Sequence, residues 1–154
     1  MVTYHEGDLL KSGCQMICHQ VNEFGYMGAG IAKQIRAKYP DCYKEYKDYC
    51  KSDPKPYGNV CWYIGDDIII ANCFSQVCGL TEMMFLESVV KKIIEFCKLK
   101  NIRLIGIPYK YGCGHAVGEW AVVSRLFKNY FEPLDIELQI WKFDPEKEEL
   151  WKQD

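Results

Sequence analysis

Apolar and polar positions follow two rhythms along this chain. Ile68, Ile69 and Ile70 form a continuous apolar run after Gly65-Asp66, and residues 67–72 predict a strand. An unbroken run of this kind fits a strand covered by helices on both faces of a sheet. Residues 102–107 repeat the character and stop at Pro108; residues 15–21, Val60–Ile64 and 136–141 predict further strands, and residues 2–5 a shorter one. A helical rhythm fills the gaps. Phe85, Leu86, Val89, Val90, Ile93 and Cys97 recur at helical spacing, as do Trp120, Val123, Phe127 and Tyr130. Ile31, Ala32 and Ile35 mark a helix that begins just after a glycine-rich loop. Pro40 ends that helix, and a tyrosine-rich helix follows over residues 41–51. The order β-β-α-α-β-β-α-β-α-β predicts an α/β three-layer sandwich around a largely parallel or mixed sheet.

Composition narrows the function classes. The 154 residues predict one domain over residues 1–143, with a charged tail over residues 144–154. A formal charge of −2 argues against broad affinity for RNA or for an anionic membrane surface. The apolar runs are too short to cross a bilayer, and the first eleven residues carry charges where a secretion signal would be apolar. A cytoplasmic location is expected. Nine cysteines stand without a C-x-x-C pair, and the three histidines are scattered. Such cysteines predict small buried apolar side chains, with no disulfide framework and no zinc site. No metal or cofactor is expected.

In open α/β sheets ligands bind beyond the carboxyl ends of the strands, so the loops there matter most. The first such loop is Asn22-Glu23-Phe24-Gly25-Tyr26-Met27-Gly28-Ala29-Gly30-Ile31-Ala32, running from a strand into a helix. Its glycines let backbone N–H groups approach an anion at a helix N-terminus, which suits a phosphate or pyrophosphate; a tight turn without ligand is the alternative. It lacks the Gly-Lys-Ser/Thr of a P-loop and the third glycine of a dinucleotide fingerprint. The second is Ile107-Pro108-Tyr109-Lys110-Tyr111-Gly112-Cys113-Gly114-His115. Facing the first, it makes the second wall of a cleft. Cys113 there is a nucleophile only if a base stands within hydrogen-bond reach, and a structural role is the alternative. His19 and Asn22 fall at the end of the second strand: His19 is either a satisfied core residue or a ligand contact, and Asn22 suits a ribose diol. Asp8 either accepts from an exocyclic amine or caps the following turn.

Taken together, Gly7-Asp8-Leu9-Leu10, His19-Gln20-Val21-Asn22, Met27-Gly28-Ala29-Gly30-Ile31-Ala32, Ile70-Ala71-Asn72, Ser75-Gln76 and Ile107-Pro108…Gly112-Cys113-Gly114 resemble the macrodomain family over nearly the whole chain. The resemblance is to the branch holding ADP-ribose 1''-phosphate phosphatases and terminal ADP-ribose glycohydrolases, bacterial DNA-ADP-ribosyl glycohydrolase antitoxins included. It implies a mixed six-stranded sheet and a cleft for ADP-ribose or a derivative, carried free or on a protein or nucleic acid.

The resemblance also assigns roles. Asp8 would bind the adenine amino group and Leu9 lie along the ring, with Phe143 packed on adenine. Gly28, Ala29, Gly30, Ile31 and Ala32, with Met27 before them, would hold the pyrophosphate from one side. Tyr111, Gly112, Cys113 and Gly114 would close on the pyrophosphate and distal ribose from the other. Asn22 would meet the distal ribose, and Ser75 would be a further ligand contact. His19 would orient water or polarise the scissile group, and Glu82 is a second catalytic candidate, as a general base. The terminal hydrolases' lysine is missing between Cys73 and Cys78, and Ala116-Val117 replace an acid found after Gly-Cys-Gly. These departures disfavour a lysine adduct. They leave two expectations, hydrolysis of an ADP-ribose derivative and a reader that binds ADP-ribose without turnover.

Overall fold

The computed structural model describes residues 1–112 and 117–143. The expectations for Cys113, Gly114 and the tail at residues 144–154 lie outside the described residues. Six strands form one sheet: β1 (Val2–Glu6), β2 (Met16–Gln20), β3 (Val60–Ile64), β4 (Ile69–Cys73), β7 (Leu104–Pro108) and β8 (Glu137–Lys142). Their order is β1-β8-β7-β2-β4-β3, and every neighbouring pair is parallel except β3–β4. This is the mixed α/β sheet expected from the alternating pattern. A small hairpin, β5 (Gln76–Val77) and β6 (Leu80–Thr81), was not foreseen.

Side-chain alternation sorts the strands between two cores. Met16 and Cys18 of β2, Ala71 and Cys73 of β4, Ile105 and Ile107 of β7, and Leu138 and Ile140 of β8 pack with α3 (Met83–Lys100) and α4 (Val117–Phe131). Ile17 and Ile70 point the other way, toward α1 (Gly30–Lys38) and α2 (Pro40–Ser52). Seven cysteines, including Cys18, Cys73 and Cys97, are buried in these layers, as small apolar residues should be. Pro40 occupies the first turn of α2, where its missing N–H costs nothing, so it ends one helix and starts the next. No described helix is long and apolar enough to cross a membrane.

One glycine decides how the layers meet. A Cβ on Gly106 of β7 would sit 2.6 Å from Leu9 Cδ1 and 2.9 Å from Cys14 Sγ. Its absence lets the 3₁₀ turn Leu9–Lys11 lie directly on the sheet, with Leu9 3% exposed. That turn follows β1, so Gly106 fixes where Asp8 and Leu9 stand at the carboxyl edge.

Candidate functional site

Four segments meet at that edge to line a cleft of about 490 Å³. Gly7, Asp8 and Leu9 come from the end of β1, and Gly30, Ile31 and Gln34 from the first turns of α1. Pro108, Tyr109 and Lys110 come from the end of β7, and Trp141, Lys142 and Phe143 from the end of β8. The two loops singled out in the sequence therefore face each other across one space, of a size that suits a nucleotide-like ligand.

Each wall has its own local cause. Asp8 caps the following turn, its Oδ1 accepting the Leu10 N–H at 2.9 Å. On the second wall Gly30 has φ +58, open space where a Cβ would stand, and no side chain capping the helix. The first turn of α1 carries no acidic residue, so its N–H groups and positive end are left for an anion. Opposite, Lys110 and Tyr111 both hold left-handed backbone, φ +68 and +50. Strain of this kind in non-glycine residues, roughly 1–3 kcal/mol each, concentrates at binding loops. Lys142 Nζ stands 5.1 Å and Lys110 Nζ 5.9 Å from the centroid of the Tyr109 ring. Two cations close to one aromatic ring thus flank the cleft.

Asp8, Leu9, Gly30, Ile31 and Phe143 are brought together as expected, Phe143 at 40% exposure. Gly28 and Ala29 lie exposed on the loop leading into α1, and Ala32 is half-buried behind them. The side chains of three other candidates turn away from this space. Met27 is 1% exposed and anchors its loop in the α1–α2 core. Tyr111 is wholly buried, stacked edge-on against Phe127 with ring centroids 5.0 Å apart, so only its backbone belongs to the loop surface. Its hydroxyl meets Ser75 Oγ at 3.2 Å, and burial pushes the phenol pKa well up. Asn22 spends its side chain on its own loop. Its Oδ1 accepts from the Phe24 and Tyr26 N–H groups and from the Tyr46 hydroxyl, and its Nδ2 donates to the Tyr26 carbonyl.

His19 is fully buried on β2, its Nε2 2.7 Å from Asn72 Oδ1 on β4 and its Nδ1 without a partner. Burial lowers its pKa from 6.5 to about 4, opposed in part by the Asn72 hydrogen bond, so the ring is neutral at neutral pH. Glu82 is exposed and stands at the N-terminus of α3. Sequence reasoning missed Trp141 and Lys142 as cleft residues. Leu138 and Ile140 claim the core face of β8, so the period of two already sends Trp141 to the other face, where it stacks on His5 at 4.9 Å. Glu23 was also missed: it is a buried carboxylate, 6% exposed, whose Oε2 accepts the Cys78 N–H at 3.2 Å.

The fold is that of the macrodomains, and the sequence is similar to those of DNA ADP-ribosyl glycohydrolases. It is 27% identical over 157 residues to a DNA ADP-ribosyl transferase-DNA ADP-ribosyl glycohydrolase fusion protein of Thermosipho africanus, covering 88% of this chain and 40% of that protein. It is 25% identical over 150 residues to a DNA ADP-ribosyl glycohydrolase of Mycobacterium tuberculosis, covering 92% of this chain and 42% of that one. The chain therefore spans less than half the length of these relatives. Among solved structures, Thermosipho africanus DarTG in complex with ADP-ribose superposes with a TM-score of 0.78 at 25% identity, over 94% of this chain and 42% of that one. The macrodomain of Thermus aquaticus DarG gives 0.77 at 23% identity, over 94% of this chain and 99% of that chain. No family model matches the chain.

Proposed function

We propose that this cleft binds ADP-ribose and that the chain hydrolyses the bond joining ADP-ribose to a macromolecule, ADP-ribosylated DNA being the substrate that the relatives' names point to. One observation carries the proposal: the uncapped α1 N-terminus at Gly30-Ile31 faces the strained Tyr109-Lys110 turn across a single cleft. A diphosphate fits between a helix N-terminus and two ammonium groups. Asp8 and Leu9 on one side, with Trp141 and Phe143 on the other, then receive the adenosine: the Asp8 carboxylate accepts from the exocyclic amine, and the aromatic rings take its faces. The first glycine loop and the second loop run from there toward the distal ribose, beside Ser75.

In the hydrolysis a water oxygen bonds to the anomeric carbon of the distal ribose as the glycosidic bond breaks. The bonding electrons and a water proton end on the leaving group. The chain contributes position: a sugar held by its diphosphate, with water beside it, converts a bimolecular step into an intramolecular one. His19 enters as a positioning residue below the β2–β4 edge, since a neutral ring with a pKa of about 4 is a poor proton acceptor. The second reading is an ADP-ribose reader, favoured by the burial of His19 and by the absence of any lysine from residues 73 to 78. Incubation with an oligonucleotide bearing one ADP-ribosylated base separates the two. Release of free ADP-ribose is expected; tight binding without release would establish the reader.

A further inference from the structure

The sheet ladder stops short of the second wall of the cleft. β2 pairs with β4 along its whole length, from Met16–Ile69 to Gln20–Cys73. Against β7 it pairs only at Met16–Ile105 and Ile17–Gly106. The two strands therefore part before their carboxyl ends, and the Tyr109-Lys110-Tyr111 turn starts beyond the last of these pairs. Lys110 and Tyr111 also hold left-handed backbone that their side chains disfavour, so contacts from outside the turn have to keep them there.

Side chains bridge the gap. The Tyr111 hydroxyl lies 3.2 Å from Ser75 Oγ, and Ser75 Oγ donates to Gln20 Oε1 at 2.7 Å. A hydroxyl has one proton to give. That of Ser75 goes to Gln20, so Tyr111 donates and Ser75 accepts. Gln20 is the last residue of β2 and is buried; its Nε2 donates onward to Thr81 Oγ1 at 3.0 Å and to Gln76 Oε1 at 3.3 Å. Thr81 in turn gives its N–H to Glu119 Oε1, in the first turn of α4, at 3.0 Å. This network reaches the second loop at Tyr111, where the chain leaves the sheet, and at Glu119, where it has entered α4. The first loop starts from the same strand, at Asn22. One carboxamide thus links the strand that launches the first wall to both flanks of the second.

We infer that Gln20 is a positioning residue: its side-chain amide sets the distance between the two cleft walls, and so the fit of a ligand whose diphosphate touches both. This rests on the ADP-ribose reading above. Gln20 itself touches no ligand and acts through Ser75 and Tyr111. Packing against Phe127 holds the Tyr111 ring in the core, but apolar contact is non-directional. A hydrogen bond specifies both distance and angle, and the members of a buried network fix one another. The hydroxyl end of Tyr111 is therefore pinned to β2, and the Lys110 backbone next to it takes its place on the cleft from there.

Two probes on the full chain test this: ADP-ribose, which spans both walls, titrated by calorimetry, and adenosine, which needs only the end at Asp8 and Leu9, followed by NMR. Gln20→Met keeps the length of the side chain and loses its hydrogen bonds; Tyr111→Phe keeps the ring in the core and loses only the hydroxyl. ADP-ribose is expected to bind at least about tenfold more weakly to Gln20→Met and about threefold more weakly to Tyr111→Phe, with adenosine within about twofold of wild type in both. A role in folding alone would weaken both probes alike, or neither. Tyr111→Phe decides the matter if Gln20→Met does not fold. Equal losses for the two probes overturn the proposal, as does unchanged ADP-ribose affinity in folded Gln20→Met or, failing that, in Tyr111→Phe. A wild type that binds ADP-ribose but no adenosine overturns it too, since the cleft would then lack a separate adenosine end. A wild type that binds no ADP-ribose overturns the functional reading itself, and this proposal with it.

Discussion

His19 shows how burial sets chemistry at the level of one residue. Its imidazole titrates near 6.5 in an unfolded chain and near 4 in the folded one, so between those values the unfolded state holds the extra proton. The contribution is therefore intact above pH 6.5 and is lost by ~1.4 kcal/mol for each pH unit as the pH falls from there toward 4. Urea denaturation at pH 7 and pH 4.5 should show the wild type losing ~2 kcal/mol more than His19→Gln. Equal losses would mean the ring is not desolvated. Turnover should be flat from pH 6 to 8 with no inflection from this histidine. Release of product that survives His19→Ala unchanged would remove His19 from the mechanism. The histidine's place at a strand end was legible in the sequence, but its depth was not, because Asn72 is 53 positions away. Glu23 was hidden for the same reason: its hydrogen-bond partner Cys78 lies 55 residues on. Asp8 was legible because its partner is local, two residues away.

Elements repeat the contrast. Long strands and helices with a clear period were readable, as in α3, where Leu86, Val89, Val90, Ile93 and Cys97 all point inward. The β5–β6 hairpin was not, because strands of two residues have no alternation and Cys78-Gly79 lacks the Asn-Gly or Asp-Gly of a typical tight turn. The close approach of Leu9–Lys11 to β7 was equally silent, since a glycine in a strand does not say what lies across it. Gly106→Ala should push that turn away, costing ~1–3 kcal/mol of stability and displacing Asp8 and Leu9. Paired measurements of thermal denaturation and ADP-ribose affinity check this. A stable variant with wild-type affinity would show that the sheet yields elsewhere.

For the whole molecule, parallel topology is the organising cause. With β1, β8, β7, β2 and β4 running the same way, their carboxyl ends share one edge, and each loop there faces the next. That is why motifs separated by some 80 residues, Gly30-Ile31 and Tyr109-Lys110, line one cleft. Order of elements and loop placement could be inferred from periodicity; which side chains turn outward could not, and Met27 and Tyr111 turn inward. Binding across so many segments should stabilise the fold as a unit. ADP-ribose at a hundred times its Kd is expected to add ~2.7 kcal/mol to the unfolding free energy, visible as a rise in Tm of several degrees. No shift at that concentration would mean that the ligand does not hold the folded state.

The most direct measurement is a calorimetric titration of ADP-ribose into the wild type and into Gly30→Glu, which forces a side chain onto left-handed backbone and puts a carboxylate where the diphosphate should lie. Micromolar binding by the wild type, about −8 kcal/mol, and at least about tenfold weaker binding by the variant are predicted. Equal affinity in the two proteins would contradict the placement of the diphosphate between the two loops.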